Sequence, residues 1–268
     1  MISTPELRRI AGRAGLGVGQ AEHEYAQLCA LDALSQTPPL ADTFCLKGGT
    51  ALRQLYFPDW RHSVDLDFTV LPSFVAGQLR QALTSWFERV GELHGLRLSL
   101  RDYHRVNGAA RVRAQFIGPL EHPSRLLLDV TLDEPVLLPP QRRPVVTGVF
   151  AAPNPQVLCY ALEEILAEKL RSILQRGKAR DYYDVWRLLK EKSDHFDRGT
   201  ARGVLTAKCR HKGLAAPSVE ALLSPTLLDA AAAYWSQDLI GQVPGGELPD
   251  WGTVTADLCP LLKNFWGQ

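Results

Sequence analysis

Asp65 and Asp67 stand one residue apart in the stretch S-V-D-L-D-F. Period-two alternation along a strand puts Ser63, Asp65 and Asp67 on one face and Val64, Leu66 and Phe68 on the other. Two like charges that close repel unless a cation lies between them, and an oxygen-only pair suits Mg²⁺ rather than zinc. The alternative for a lone D-x-D is a solvated strand face. A second run, RLLLDVTLD, bears on that choice. Its Leu126, Leu128, Val130 and Leu132 face one way, and Asp129, Thr131 and Asp133 the other. Three carboxylates on neighbouring strands would hold two divalent ions, the arrangement used for in-line displacement at phosphorus. Asp133 is close enough to the strand end to be a turn residue.

Upstream, Gly48, Gly49 and Thr50 form a turn of a different kind. Paired glycines allow close backbone approach, and the following helix start offers free N–H groups and a hydroxyl to an anion. A lone G-G-T is often only a turn and a cap; followed by S-x-D-x-D it is a rarer combination. Further on, QVLCYALEEILAEKLRSILQ reads as a helix with an apolar stripe through Leu158, Leu162, Ile165 and Ile173, and Lys169 falls inside that stripe. A lysine there must snorkel, pair, or reach a site. Glu168 and Arg171 lie outside the stripe and read as a solvated face, and Glu163 and Glu164 make no special claim. In RGKARDYYDVWRLL, Asp181 and Asp184 share a helix face at spacing i, i+3, opposite Tyr182, Val185, Trp186 and Leu189. Asp181 alone could be an N-cap.

These residues need elements to carry them. Ser3, Pro5 and Glu6 mark a capped helix start, and a second helix covers about Gly19 to Leu34. F-C-L (44–46) reads as a short buried strand, Thr50–Tyr56 as a short helix capped by Thr50, and HSVDLDFTV as the next strand. A helix from about Ser73 to Val90 precedes three strand-like runs at 96–103, 111–118 and 125–133, and VVTGVF adds a short strand. The result is an α+β class: a small mixed sheet with flanking helices, then a mainly helical C-terminal half. The A-P-N-P break (152–155) sets a soft boundary between domains 1–153 and 154–268.

Composition narrows the classes further. At 268 residues and 46% hydrophobic, the chain can build a sizeable core without covalent staples. Five scattered cysteines with no metal-ligand spacing read as buried thiols in a reducing compartment. No apolar leader and no long apolar run is present, so a cytoplasmic protein with no membrane partner is expected. A net charge of +1 excludes a globally basic nucleic-acid coat, leaving local patches to do any such binding. Arg97, Arg101, His104, Arg105, Arg111 and Arg113 could form one on adjacent strands, or simply a solvated arginine-rich hairpin.

Taken together, KGGTAL, RHSVDLDF, LLLDVTLDEPV and EEILAEKLRSILQRGKARDYYDVWRLL resemble the AbiEii/AbiGii toxin family of nucleotidyltransferases, within the polymerase-beta-like nucleotidyltransferase superfamily. The resemblance implies a nucleotidyltransferase core in the sheet-bearing half and a helical half that completes the active site. It implies metal-binding and catalytic roles for Asp65, Asp67 and Asp129, with Lys169 and Asp181 contributed by the helical half. Nucleotide contacts would come from Lys47, Gly48, Gly49, Thr50, Ser63 and Lys169. The superfamily usually has serine after the glycine of its phosphate turn, and Thr50 keeps that hydroxyl. The implied activity is Mg²⁺-dependent transfer of NMP from an NTP to an acceptor hydroxyl, in RNA and specifically the tRNA 3′ end. The protein would be the toxin of a toxin–antitoxin or abortive-infection system, with a cognate antitoxin as a possible partner. The same chemistry on a protein or small molecule is the second reading. A catalytically silent nucleotide- or antitoxin-binding module is the third, and the presence of all three aspartates disfavours it.

Overall fold

Alternating apolar side chains build the sheet that carries the aspartates. The computed structural model describes residues 1–106, 108–146, 148, 150 and 154–268. Its strands are β1 (Phe44–Lys47), β2 (Asp65–Val70), β3 (Arg97–Val106), β4 (Ala109–Ile117), β5 (Pro123–Thr131), β6 (Gln141–Pro144) and β7 (Gln156–Cys159). They form one mixed sheet in the order β3-β4-β5-β2-β1-β7-β6. β2 runs antiparallel to β1 and parallel to β5, while β3, β4 and β5 form an antiparallel meander.

One face of this sheet is apolar. Leu66 and Phe68 of β2, Leu126, Leu128 and Val130 of β5, and Val112, Ala114 and Phe116 of β4 are all buried. They lie beneath α2 (Val18–Ser35) and α5 (Leu79–His94), where Trp86 meets Phe68 edge to face at 5.9 Å and donates its indole N–H to the Ala30 carbonyl at 2.7 Å. The indole is thus fully buried with its one donor satisfied. Ahead of α2, α1 (Thr4–Ala14) is capped by the Ser3 hydroxyl, which accepts from the Glu6 N–H. α3 (Leu40–Thr43) precedes β1, and α4 (Gly48–Ala51) follows it and continues into a π-helical turn over Leu52–Tyr56.

The chain divides into two compact units: Met1–Val136 with Pro140–Tyr160, and Leu137–Pro139 with Ala161–Gln268. The second unit is helical, with α6 (Leu162–Arg176), α7 (Ala179–Glu191), α8 (Arg198–His211), α9 (Val219–Leu222), α10 (Pro225–Leu239) and α11 (Trp251–Trp266). Among the described residues no helix is long and apolar enough to cross a membrane.

Three elements differ from the sequence expectation. The helix after β1 begins at Gly48 with Lys47 in the capping position, so Thr50 is not its cap. The helix expected from Gln156 begins at Leu162, because Gln156–Cys159 is a strand and Leu158 belongs to the sheet. A short apolar run fits either structure, and here pairing with β1 decides it. Of the expected VVTGVF strand, Val145 and Val146 follow β6 as irregular backbone whose N–H groups reach Pro155 and Gln54 carbonyls. Thr147 and Val149 lie outside the described residues, as do Ala152 and Pro153 of the A-P-N-P break.

Candidate active site

The polar face of the sheet collects the carboxylates. Register pairs Asp67 with Asp129 across parallel strands β2 and β5, and Asp65 with Leu127. Asp65, Asp67 and Asp129 therefore share one face, with Asp65 and Asp67 half-buried and Asp129 exposed. Asp133 lies beyond the end of β5. Among the described residues no group of three or more His, Cys, Asp or Glu side chains converges as a ready metal cage. What this face offers instead is adjacent oxygen donors, half-buried on Asp65 and Asp67 and open to solvent on Asp129, a donor chemistry that fits a hard divalent cation keeping several waters.

Two glycines bring the chain up to those carboxylates for separate reasons. Gly48 has φ +73°, and a Cβ there would sit 2.2 Å from Asp67 Oδ2. At Gly49 a Cβ would meet Ser63 Oγ at 2.9 Å and Arg61 Nη2 at 3.0 Å. Only a chain without side chains at both positions can pass between Asp67 and the Arg61–Ser63 loop. Thr50 is fully buried, and its hydroxyl donates to the Asp65 carbonyl at 2.6 Å. It ties the turn to the start of β2. Lys47 faces the same way as Asp67, its register partner, and its ammonium donates to Thr131 Oγ1 at 3.3 Å and lies 3.9 Å from Glu134.

A buried polar framework on α2 holds the loop before β2. Gln27 donates to the Ser63 carbonyl at 2.9 Å and accepts from Gln54 at 3.1 Å. Glu24 accepts from Arg53 at 2.7 Å and pairs with His62. Burial pushes the Glu24 carboxyl up, but His62 and Arg53 outweigh it and hold it below the usual range. Arg61 is buried and donates to the His62 carbonyl at 3.1 Å. Sequence reasoning passed over Glu24, Gln27, Arg53, Arg61 and His62. The one available signal was a charged R-H pair beside Trp60 in a short loop.

The arginine-rich hairpin is only partly one patch. A register shift between Leu100 and Asp102 changes which β3 residues face the carboxylates. Asp102 and His104 then lie opposite Arg113 and Arg111, whereas Arg105 lies opposite buried Ala110, on the other side. β4 in turn places Arg111 opposite Asp129 and Arg113 opposite Leu127. The outcome is an open pocket of about 280 Å³ lined by Asp65, Asp102, His104, Arg111, Val112, Arg113, Leu127, Leu128 and Asp129.

In the second unit Lys169 is buried, donates to Asp181 at 3.0 Å and lies 2.8 Å from Asp184. Of the three fates open to an embedded lysine, it pairs. Asp181 is not an N-cap, since Lys178 occupies that position on α7. Burial pushes its carboxyl up, but Lys169 and then Arg176 hold it below the usual range. Glu168 and Arg171, expected on a solvated face, are buried and paired at 3.3 Å. Glu164, given no role, is fully buried against fully buried Lys208 at 3.0 Å and accepts from the Leu137 and Leu138 N–H groups. Residue types alone do not report the burial of Glu164, because its partner Lys208 lies tens of positions away.

The chain matches the family described as nucleotidyl transferase AbiEii toxin, type IV TA system, over residues 30–257. Comparison with curated protein sequences gives no match. Among solved structures it is similar to MenT4, a nucleotidyltransferase toxin from Mycobacterium tuberculosis H37Rv, with TM-score 0.73 and 21% identity over 100% of this chain and 91% of that one. At that identity the likeness speaks to the fold.

Proposed function

The chain belongs to the AbiEii nucleotidyltransferase toxin family of type IV toxin–antitoxin systems, and from that premise we propose that it moves a nucleoside monophosphate from an NTP to a hydroxyl of RNA, the tRNA 3′ end being the first candidate, in a Mg²⁺-dependent reaction. The observation that carries this reading is the in-register pair Asp67 and Asp129, beside Asp65 and a glycine turn that admits no side chain. Asp65, Asp67 and Asp129 would hold the divalent cation, which supplies charge neutralisation to the triphosphate when bound. Gly48 and Gly49 let bare backbone approach the phosphates. Asp129, the most exposed of the three, takes the proton of the acceptor hydroxyl as the hydroxyl oxygen bonds to the α-phosphorus and pyrophosphate leaves. Thr50, whose hydroxyl donates to the Asp65 backbone carbonyl, and Lys47, whose ammonium donates to Thr131, are positioning residues that fix the turn against β2 and β5. Ser63 stands at the mouth of the turn beside Gly49. Lys169 and Asp181 are carried as residues the family resemblance proposes for the chemistry; within the helical unit their ion pair at 3.0 Å joins α6 to α7. The cellular role proposed with this chemistry is that of a cytoplasmic toxin countered by a cognate antitoxin, a reading the family match supports.

The test is to incubate the purified chain with each α-labelled NTP, Mg²⁺ and total cellular RNA or protein. Label that is RNase-sensitive, protease-resistant, and lost in Asp65→Asn supports the reading. Protease-sensitive label, or none with any NTP, overturns it.

A further inference from the structure

We propose that Arg111 is an acceptor-sensing residue: it rests on Asp129 in the free protein and is drawn off by a backbone phosphate of the acceptor RNA strand, which binds in the pocket between β2, β5, β4 and β3. The inference rests on the reading of Asp129 as a site carboxylate.

The two arginines facing this pocket are held differently. Arg113 lies 2.8 Å from Asp102, whereas Arg111 is 3.7 Å from Asp129, beyond hydrogen-bond reach. The Arg111 and Asp129 side chains are 85% and 58% exposed, and an exposed pair without a hydrogen bond exchanges readily for a better partner. A phosphodiester is such a partner, since a guanidinium can grip two of its oxygens at once.

Charge balance points to the same exchange. The pocket's three carboxylates, Asp65, Asp102 and Asp129, face two guanidiniums and the His104 imidazole. A divalent cation taken up by Asp65 and Asp129 would leave Arg111 without an anion to neutralise. The pocket then favours an incoming negative group beside the carboxylate proposed as base.

The spacing favours a polynucleotide over an acidic protein. Arg111 and Arg113 are alternate residues of one strand, so their backbone positions are about 6–7 Å apart. That is close to the separation of successive phosphates along a nucleic-acid strand. Leu127, 41% exposed beside Arg113 and Asp65, offers an apolar surface to a ribose or base.

Acceptor and cation are then thermodynamically linked, because each relieves Asp129 of Arg111, and the coupling must be reciprocal. The experiment uses the full chain without turnover. Mn²⁺ alone is titrated by electron paramagnetic resonance into wild type, Arg111→Gln and Arg113→Gln. A short RNA ending in a free 3′-hydroxyl is titrated separately in Ca²⁺ at several salt concentrations. Arg111→Gln is expected to bind Mn²⁺ several-fold more tightly and RNA about tenfold more weakly, with a salt slope smaller by about one. Arg113→Gln should weaken RNA binding but leave Mn²⁺ affinity near wild type. Added RNA should tighten Mn²⁺ binding in wild type but not in Arg111→Gln. Unchanged Mn²⁺ affinity and unchanged salt slope in Arg111→Gln overturn the proposal, as does equal competition by polyglutamate. Transfer by Asp129→Asn separates the failures. If that variant is inactive while Arg111→Gln behaves as wild type, only the sensing role falls; if it is fully active, the reading of Asp129 falls and the sensing role with it.

Discussion

The two units of this chain handle charge in opposite ways. In the sheet-bearing unit, Asp65 and Asp67 stand half-buried on the polar face of the sheet beside exposed Asp129, which exposed Arg111 balances loosely. In the helical unit, Lys169 lies between Asp181 and Asp184, and Lys208 sits against Glu164 with neither side chain exposed. A surface carboxylate is already solvated, so deleting it costs the fold little and costs a ligand everything. A buried charge has been desolvated, and removing its partner leaves that cost uncompensated. Substitutions at the sheet carboxylates should therefore be read first in activity, and those at the Glu164–Lys208 pair first in stability.

The sharpest form of the comparison is Asp65→Asn against Lys208→Met. Asp65→Asn should lower nucleotide transfer by about 10³-fold or more with the melting temperature little changed, since it removes a cation ligand from a partly solvated strand. Lys208→Met leaves the Glu164 carboxylate buried without its ammonium partner, still accepting from the Leu137 and Leu138 N–H groups. It should cost about 3–5 kcal/mol, a fall in melting temperature on the order of 10 °C. Specific activity per folded molecule and calorimetry on both variants decide the matter. A destabilised Asp65→Asn with normal activity would reverse the contrast.

Lys169→Met probes the buried side of the same contrast. Methionine keeps the length of the side chain but removes the ammonium that faces both Asp181 and Asp184, leaving Arg176 against Asp181. Stability should fall by about 3 kcal/mol, and Asp184→Asn in the same chain should recover part of that loss. The pH profile carries a second signature. The folded pKa of Asp181 is depressed, so its contribution is present above the ordinary carboxylate pKa and lost as pH falls through the folded value. Wild type should thus lose stability in the acid range, and Asp181→Asn should show a flatter acid limb in thermal melts taken at successive pH values. An unchanged acid limb would detach this carboxylate from acid unfolding.

What could be read from the sequence follows the same division. Asp65, Asp67 and Asp129 were legible because strand periodicity fixes which way they point, and the glycine turn because few residue types can fill it. Glu164 and Lys208 were not, since a glutamate and a lysine 44 positions apart carry no sign that they meet in the core. Nor was the pocket: simple alternation from Arg97 groups Arg101 with Arg105, and only the register shift between Leu100 and Asp102 turns His104 toward the carboxylates. The Lys169 stripe was half legible. Its position in α6 was correct, but Leu158 belongs to β7 and the lysine's two partners come from the next helix.

Gly48→Ala tests how tightly the first unit's loosely charged face is nonetheless shaped. The substitution strains a residue at φ +73° by about 1–2 kcal/mol and drives a methyl into Asp67 Oδ2. Asp67 must move, and transfer should fall by about 10²-fold with only a small loss of stability. Gly245→Ala, at φ +78° with open space around it, carries the backbone strain alone and should leave activity intact. Equal activity losses in the two variants would deny the turn its special closeness to Asp67.

Thr50→Val should have the smallest effect, and it tests whether the first unit contains any purely structural polar contact at its centre. Valine matches threonine in shape but cannot donate to the Asp65 carbonyl, which the hydroxyl now reaches at 2.6 Å. The lost bond is worth about 1–2 kcal/mol in so buried a place, and transfer should fall no more than about tenfold as the start of β2 relaxes. NTP affinity should change less than either, because the hydroxyl proton is committed to the backbone and not to a phosphate. Thr50→Ser keeps the donor and should restore both stability and activity, which a simple cavity effect would not allow. The opposite pattern is equally readable: if Thr50→Val leaves the melting temperature unchanged while the NTP dissociation constant rises by one to two orders of magnitude, the hydroxyl turns to the nucleotide when it binds. Thr50 would then belong with the solvent-facing chemistry of the first unit, and not with its scaffold.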